Sequence, residues 1–271
     1  FPAGLRVGLE LPPGLEASRR FPGFEDPARH VLVAIFELPG QAYEHLLQAG
    51  FDKHTQGMDR VSKADFAVAG GSGYLVSGET TIKDQKARRW FLLARPDGGD
   101  GKPPTVSSLI RVDVPDDARE VYSDAVVRKM LASVNFRPTP IKEQLGLLPF
   151  ELKDLADFRI AKVLPGGAVL TDGPSDELGS AGQPYLIVSI GRGGPSDPEL
   201  RGNFARDALR SGPLTDIQVT SADTIRIGRA RAYELRAAAT DPTGQTVTVV
   251  QWIQFGAGGY LRVIGVSPKD D

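Results

Sequence analysis

The pattern of hydrophobic and polar positions predicts two successive sets of strands, each interrupted by a short helix. In the first set, a nearly unbroken apolar run at residues 31–36 predicts a strand that is buried on both faces. Further strands are predicted near residues 65–69, 73–82, 87–95 and 106–114. Hairpin connections predominate between these stretches, which favours a mostly antiparallel sheet.

Two helices are expected in the first set. Tyr43, Leu46 and Leu47 fall on one helical face directly after the apolar run. A second helix is predicted to begin at Asp116, because acidic residues suit the positive end of a helix. It is expected to end before Pro138.

The second set of elements follows the same order. Strands are predicted at residues 158–164 and 184–190, and a helix is predicted to open at Ser196. A later strand, residues 246–255, alternates apolar side chains on one face, with Gln251 as the exception.

Short motifs recur between the two sets in the same order, which indicates a duplication. The matched positions are 5–14 with 158–167, 61–70 with 219–228, Trp90 with Trp252, and 110–112 with 261–263. Coincidence among common residues would explain any single match, but it explains four ordered matches less well.

Three prolines between residues 138 and 149 indicate a semi-rigid connector. The sequence therefore predicts a first domain at 1–137, a linker at 138–151 and a second domain at 152–271. The closing helix of the first copy is expected to be absent or trimmed in the second. The predicted fold class is α+β: two tandem copies of an α/β/α sandwich with a mostly antiparallel sheet.

The element order, together with residues 4–14, 21–26 and 133–138, resembles the PsbP-like superfamily of Mog-type sandwich domains. The opening residues also look like those of exported proteins of alphaproteobacteria. This resemblance implies an α/β/α sandwich around an antiparallel sheet and an exported, non-catalytic module. No ligand residue of that family can be matched here position by position.

Composition narrows the possible functions. The 32 Lys and Arg residues nearly balance the 34 Asp and Glu residues, and the net charge of −2 gives no electrostatic reason to expect nucleic-acid binding. The absence of cysteine excludes disulfides, thiolate metal sites and Cys nucleophiles. The longest apolar run has six residues, whereas a membrane helix needs roughly 20, so no membrane span is expected.

The chain begins at Phe1 rather than Met, and it reaches a strand-like stretch within a few residues. This start is typical of a mature protein after signal-peptide removal, although an experimentally chosen boundary would look the same. The sequence therefore predicts a periplasmic or secreted protein.

No recognised catalytic motif is present. His30, His45 and His54 lack the i,i+4 spacing of a zinc-binding helix. The glycine-rich residues 70–73 lack the final Gly of a nucleophile elbow, and residues 191–194 lack the Lys of a phosphate loop. The sequence predicts no catalytic residue, no metal site and no cofactor.

Five arginines remain as candidate binding residues: Arg88, Arg89, Arg226, Arg229 and Arg231. A guanidinium group suits the carboxylate or phosphate of an anionic ligand or acidic partner. The alternative is a solvated, ion-paired face or the protection of a sheet edge.

These observations predict a non-catalytic exported protein that binds a partner protein or a small ligand. An envelope structural or assembly factor is the alternative, and it would expose an apolar patch or a free sheet edge. A hydrolase without a recognisable motif is a further alternative, which would bring perturbed titratable residues together in one cleft.

Overall fold

A computed structural model describes residues 1–98, 103–177 and 182–269. The chain divides into a first unit, Phe1–Pro140, and a second unit, Ile141–Asp271. Each unit has its own seven-stranded sheet, and every pair of neighbouring strands in both sheets is antiparallel. The α+β class with two tandem sheet domains is therefore confirmed.

The first unit builds its sheet in the order β2-β3-β4-β8-β7-β6-β5. Its strands are β1 (Val7–Gly8), β2 (Glu16–Ala17), β3 (Gly23–Asp26), β4 (Val31–Pro39), β5 (Asp59–Val68), β6 (Gly71–Ile82), β7 (Gln85–Pro96), β8 (Val106–Pro115) and β9 (Asn135–Phe136). Its helices are α1 (Ala42–Gln48), α2 (Asp52–Thr55) and α3 (Asp124–Ala132). Strands β1 and β9 pair with each other outside the main sheet.

Helices pack on both faces of this sheet. Alternation along β7 directs Leu92 to one face and Leu93 to the other. Leu92 belongs to the core under α3, which includes Leu131, whereas Leu93 belongs to a second core with Tyr43 of α1. The first unit is thus a three-layer sandwich.

The second unit repeats the strand order position by position, as β10-β11-β12-β16-β15-β14-β13. Its elements are α4 (Ile141–Gly146), β10 (Arg159–Leu164), β11 (Gly167–Thr171), β12 (Tyr185–Arg192), α5 (Arg201–Arg210), β13 (Thr215–Ile227), β14 (Ala230–Thr240), β15 (Thr246–Gly256) and β16 (Gly259–Pro268). Its core lies between the sheet and α5, where Ala205 and Leu209 pack on Val249 and Ile253.

Strand register supports most of the predicted repeat, but not its opening motif. Trp90 pairs with Val112, and Trp252 pairs with Val263 in the corresponding ladder. In contrast, the matched residues 5–14 contribute β1, which lies outside the main sheet, whereas their counterparts form β10 within it. The edge position held by β10 is held by β2 in the first unit, so this sequence match does not reflect equivalent strands.

Two predicted helix starts were wrong. Residues Asp116–Ala118 form only a short 3₁₀ turn, and α3 begins at Asp124, where the Ser123 hydroxyl accepts a hydrogen bond from the amide of Val126. In the second unit, Asp197 rather than Ser196 caps a 3₁₀ turn, and α5 follows from Arg201. Both helices start later because a 3₁₀ turn precedes them.

The stretch 138–151, which was predicted as a linker, contains α4, and the two units divide at Pro140. Within the described ranges, no helix has the length and apolar character that crossing a bilayer requires.

Candidate functional site

The face of the first sheet that carries α1 is only partly covered. The helices α1 and α2 have seven and four residues, and they pack near Phe91, Leu93 and Leu109. The opposite end of the same face stays open as a pocket of about 750 Å³. It is lined by Arg20, Glu25, Asp26, Pro27, His30, Val31, Leu32, Ile82, Lys83, Gln85, Ala87, Arg111, Asp113 and Pro115.

The pocket floor includes three residues of one row of side chains that crosses four strands, and the fourth residue of the row, Arg89, lies beside the floor. Cross-strand register places Glu25 beside Leu32, Leu32 beside Asp113, and Asp113 beside Arg89. Because directly opposed residues in an antiparallel sheet point to the same face, this row is charged at both ends and in its centre.

Two turns form the pocket rim. One, residues 27–30, connects β3 to β4 and includes Pro27 and His30. The other is the two-residue loop Lys83 and Asp84, with φ of 48° and 66°, a combination typical of tight hairpins. This hairpin presents Lys83 at the edge of the pocket.

Asp113 holds two arginines at the pocket floor. It is 4% exposed, and it accepts hydrogen bonds from Nε and Nη2 of Arg89 at 2.6 and 3.1 Å. Its Oδ2 also accepts from Nε of Arg111 at 2.9 Å and from Nη2 of Arg111. One carboxylate therefore pairs with two guanidinium groups, which leaves a local excess of one positive charge.

The other two pocket carboxylates are also held by hydrogen bonds. Hydrogen bonds from Arg20 and then from Ser18 lower the pKa of Glu25. Burial alone would raise the pKa of Asp26, but hydrogen bonds from Tyr122 and Arg29 outweigh burial and lower it. Both carboxyl groups are therefore ionised at neutral pH.

The second unit closes the corresponding place. Register makes its equivalent row Val169, Ile187, Ile264 and Gln251. Gln251 is fully buried; its amide donates to the carbonyl oxygen of Ala205 in α5 at 2.8 Å. Its side-chain oxygen accepts from Nε of Arg262 at 2.8 Å. In the second unit, the ten-residue α5 therefore covers the position that is equivalent to the open pocket of the first unit.

The structure separates the two predicted arginines of β7. As neighbours on a strand, Arg88 and Arg89 point to opposite faces. Arg88 pairs with Asp124 at 3.1 Å and lies 5.2 Å from the centre of the Trp90 ring. Arg89 lies beside the pocket floor on Asp113, so only one of the pair reaches this site.

The three predicted arginines of the second unit lie at one hairpin. Arg226 and Arg231 are direct cross-strand partners, and Arg229 lies in the turn between them. All three are exposed, and none forms an ion pair with another residue of the described ranges. Their role in binding stays a prediction.

Sequence reasoning missed Arg111, Asp113 and Lys83 as site residues. Arg111 was noted only as part of a repeated motif. The usable signal was the alternation within β8, where Arg111 and Asp113 share one face between the apolar positions Ile110, Val112 and Val114. Two opposite charges on one face of a nearly buried strand indicate an ion pair within the sheet.

The histidines do not converge. His30 lies on the pocket rim, His45 lies in α1, and His54 packs against Phe51 and Phe91 with ring centres 5.5 and 5.6 Å apart. Among the residues that the structure describes, no group of three or more potential ligands is placed to hold a metal ion.

No family model matches the chain, and no curated protein matches it either. Among solved structures, the chain is similar to one described as the Tle4–Tli4 complex, with 12% identity, 99% of this chain and 85% of that chain covered, and a TM-score of 0.25. It is also similar to the apo structure of immunity protein TplEi of the T6SS from Pseudomonas aeruginosa, with 13% identity, 99% and 86% coverage and a TM-score of 0.24. The di-domain ARO/CYC BexL follows at 8% identity, 88% and 85% coverage and a TM-score of 0.16. TM-scores this low assign neither a family nor a function.

Proposed function

We propose that the protein is a non-catalytic binding protein that holds part of a partner protein in the pocket of the first unit. One observation carries the proposal. Each of the three carboxylates in the pocket, Glu25, Asp26 and Asp113, accepts hydrogen bonds from at least one arginine. Carboxylates paired with arginines in this way shape a polar binding surface rather than transfer protons.

The size and lining of the pocket support binding. Its volume of about 750 Å³ lies within the roughly 300–1,000 Å³ common for ligand sites. Leu32, Ala87 and Pro115 supply apolar surface, Lys83 supplies exposed charge at the rim, and Arg20, which precedes β3, supplies a second exposed charge. Because the rim consists of two surface turns, a loop of a partner protein can enter between them.

A catalytic role is the weaker reading of the same pocket. It does bring three carboxylates and His30 into one cleft, which is the arrangement a hydrolase would use. However, a general acid at neutral pH needs a raised pKa, whereas the pKa values of Glu25 and Asp26 are lowered. Among the residues that the structure describes, the pocket lining also includes no Ser, Thr or Tyr that could act as a nucleophile.

An assembly role is the second candidate, and the sheet edges favour it. Strands β5 and β13 lie at the edges of their sheets, and most of their residues are exposed. An uncovered edge strand can pair with a strand from another chain. Export of the protein stays a prediction from the sequence.

The test of partner binding is capture with pocket-filling and matched control variants of the full chain. Leu32→Trp places a large ring in the pocket, whereas Phe36→Trp enlarges an exposed residue of the same strand that does not line it. The wild type and Phe36→Trp are expected to retain the same protein from an envelope extract, identified by mass spectrometry. Leu32→Trp is expected to lose it.

The captured protein is then purified, and its affinity for each variant is measured by calorimetry. Equal affinity for all three proteins would contradict binding in the pocket.

A further inference from the structure

We propose that the pocket of the first unit recognises a carboxylate group, and that Arg111 receives it. This inference rests on the proposed binding function and names the chemistry of the bound group. It concerns a carboxylate with an apolar group beside it, from either an acidic side chain of a partner protein or a small organic acid.

Arg111 has the free hydrogen-bond donors that a carboxylate needs. Its Nε and one N–H of Nη2 point to Asp113. Its Nη1 makes no hydrogen bond to any residue of the described ranges, and its side chain lines the pocket at 36% exposure. The outer edge of a guanidinium group can hold a carboxylate through two parallel N–H bonds.

Asp113 acts as a positioning residue for Arg111. Its side chain is 6% exposed, and Arg89 anchors it from the other side. An arginine that is already fixed in its bound geometry loses less conformational entropy when a ligand arrives. The pair therefore presents Arg111 to the pocket in one orientation.

The charges around Arg111 favour a single negative charge. The residues that line the pocket carry three positive groups, Arg20, Lys83 and Arg111, and three carboxylates, Glu25, Asp26 and Asp113. These charges balance formally, but Arg89 also pairs with Asp113 from beside the pocket, which leaves one positive charge at the Asp113–Arg111 pair. A monoanionic carboxylate matches this charge, whereas a phosphate dianion would exceed it and would meet stronger repulsion from the three fixed carboxylates.

The apolar side chains of the pocket determine which chemical group can lie next to the carboxylate of the ligand. Leu32 lies directly opposite Asp113 in the ladder, and Ala87 lies directly opposite Pro115. A carboxylate at Arg111 would therefore have an apolar surface beside it, which suits a neighbouring aliphatic or aromatic group.

The second unit shows that this arrangement is not a general property of the fold. Arg262 occupies the position of Arg111, but Ile264 replaces Asp113 and Gln251 replaces Arg89. Nε of Arg262 donates to Gln251 instead. The charged row and its open pocket therefore belong to the first unit, which is where we place the carboxylate site.

The first experiment compares matched probes with the full chain. The peptide pair is acetyl-Leu-Glu-Leu-amide and acetyl-Leu-Gln-Leu-amide, and the small-molecule pair is 4-phenylbutanoate and 4-phenylbutanamide. Binding is followed through the NMR signals of the arginine Nε–H groups. At least one acid is expected to bind about tenfold tighter than its amide, a difference of about 1.4 kcal/mol, and to shift the Arg111 signal.

Variants assign the effect to the proposed residues. Arg111→Gln is expected to remove the preference for the acid, and Arg111→Lys to retain part of it because the charge remains without the fork. Lys83→Asn removes a rim charge at a hairpin position that asparagine tolerates, and it is expected to weaken the acid a few-fold. Arg60→Gln, at an exposed arginine that does not line the pocket, is the control and should leave binding unchanged.

The outcomes distinguish a carboxylate of a partner protein from a small organic acid. They also distinguish failure of this inference from failure of the proposed binding function. A preference for the Glu peptide assigns the carboxylate to a protein, and a preference limited to 4-phenylbutanoate assigns it to a small organic acid. Equal binding of acids and amides, no binding at millimolar concentrations, or tighter binding of a phosphoserine peptide would overturn the inference. If Leu32→Trp abolishes partner capture while Arg111→Gln leaves it intact, the pocket binds its partner without a carboxylate and only this inference fails.

Discussion

The hydroxyl of Tyr122 donates a hydrogen bond to Oδ2 of Asp26 at 2.8 Å, across 96 residues of sequence. Tyr122 is 1% exposed and Asp26 is 3% exposed. Asp26 also accepts from the amides of Ala28 and Arg29 within its own turn. The contact thus fastens one rim of the pocket to the segment that precedes α3.

Tyr122→Phe is expected to destabilise the first unit by about 1.5–3 kcal/mol, the usual contribution of a hydrogen bond to a charged group. The aromatic ring stays in the core, so the loss comes from the hydroxyl alone. Urea unfolding followed by circular dichroism measures the change. Tyr260→Phe is the control, because the Tyr260 hydroxyl makes no hydrogen bond in the part of the chain that the structure describes, and its stability should match the wild type.

Stability should also fall at alkaline pH through the same tyrosine. Burial, followed by the hydrogen bond and the charge of Asp26, raises the pKa of Tyr122 to about 12, above the value of about 10 in an unfolded chain. A raised pKa contributes stability that is complete below pH 10 and is lost as the pH rises towards 12. The stability difference between wild type and Tyr122→Phe should therefore shrink over this range. A constant difference between pH 9 and pH 12 would contradict the assignment.

Most of the fold could be predicted from the chain because its strands carry strong local patterns. The strands predicted near 73–82, 87–95 and 106–114 match β6, β7 and β8 within a few residues. The role of Gln251 could not be predicted, because a polar residue in an apolar strand face has meaning only once α5 is packed against it. The opening motif was misassigned because β1 finds its partner in β9, far away in sequence.

The candidate site was harder to predict than the fold. Arg88 and Arg89 were predicted together because they are neighbours in sequence. Adjacent residues of a strand point to opposite faces, however, and the two arginines pair with different carboxylates, Asp124 and Asp113. The pocket depends on the short length of α1 and on charged side chains from three different strands, β3, β7 and β8. No local sequence pattern shows which residues of separate strands lie opposite each other in the sheet.

The two tryptophans occupy equivalent register positions but different surroundings. Trp90 is 1% exposed within the core under α3, whereas Trp252 is partly exposed. Each indole donates to a carboxylate, Trp90 to Asp124 at 3.3 Å and Trp252 to Glu234 at 2.7 Å. Burial rather than the hydrogen bond should therefore set the difference between them.

Trp90→Ala is expected to cost about 3–5 kcal/mol, as for other fully buried aromatic residues, and Trp252→Ala clearly less. Urea unfolding of each variant, followed by far-ultraviolet circular dichroism, gives both values. Equal losses would show that Trp90 in the first sheet and Trp252 in the second sheet are covered to the same extent, contrary to the structure.

The buried amide of Gln251 allows a sharper test of why the second unit is closed. Burial lowers the pKa of the Arg262 guanidinium, and Gln251 provides its acceptor while donating to Ala205 of α5. Gln251→Met keeps the volume but leaves a buried carbonyl and a half-buried guanidinium without this partner, so a loss of about 1–3 kcal/mol is expected in urea unfolding. Gln254→Met, at a partly exposed position of the same strand, controls for the change of residue type and should cost less than a third as much. Similar losses in both variants would mean that side-chain packing alone, without the link between Arg262 and α5, holds the helix over this sheet.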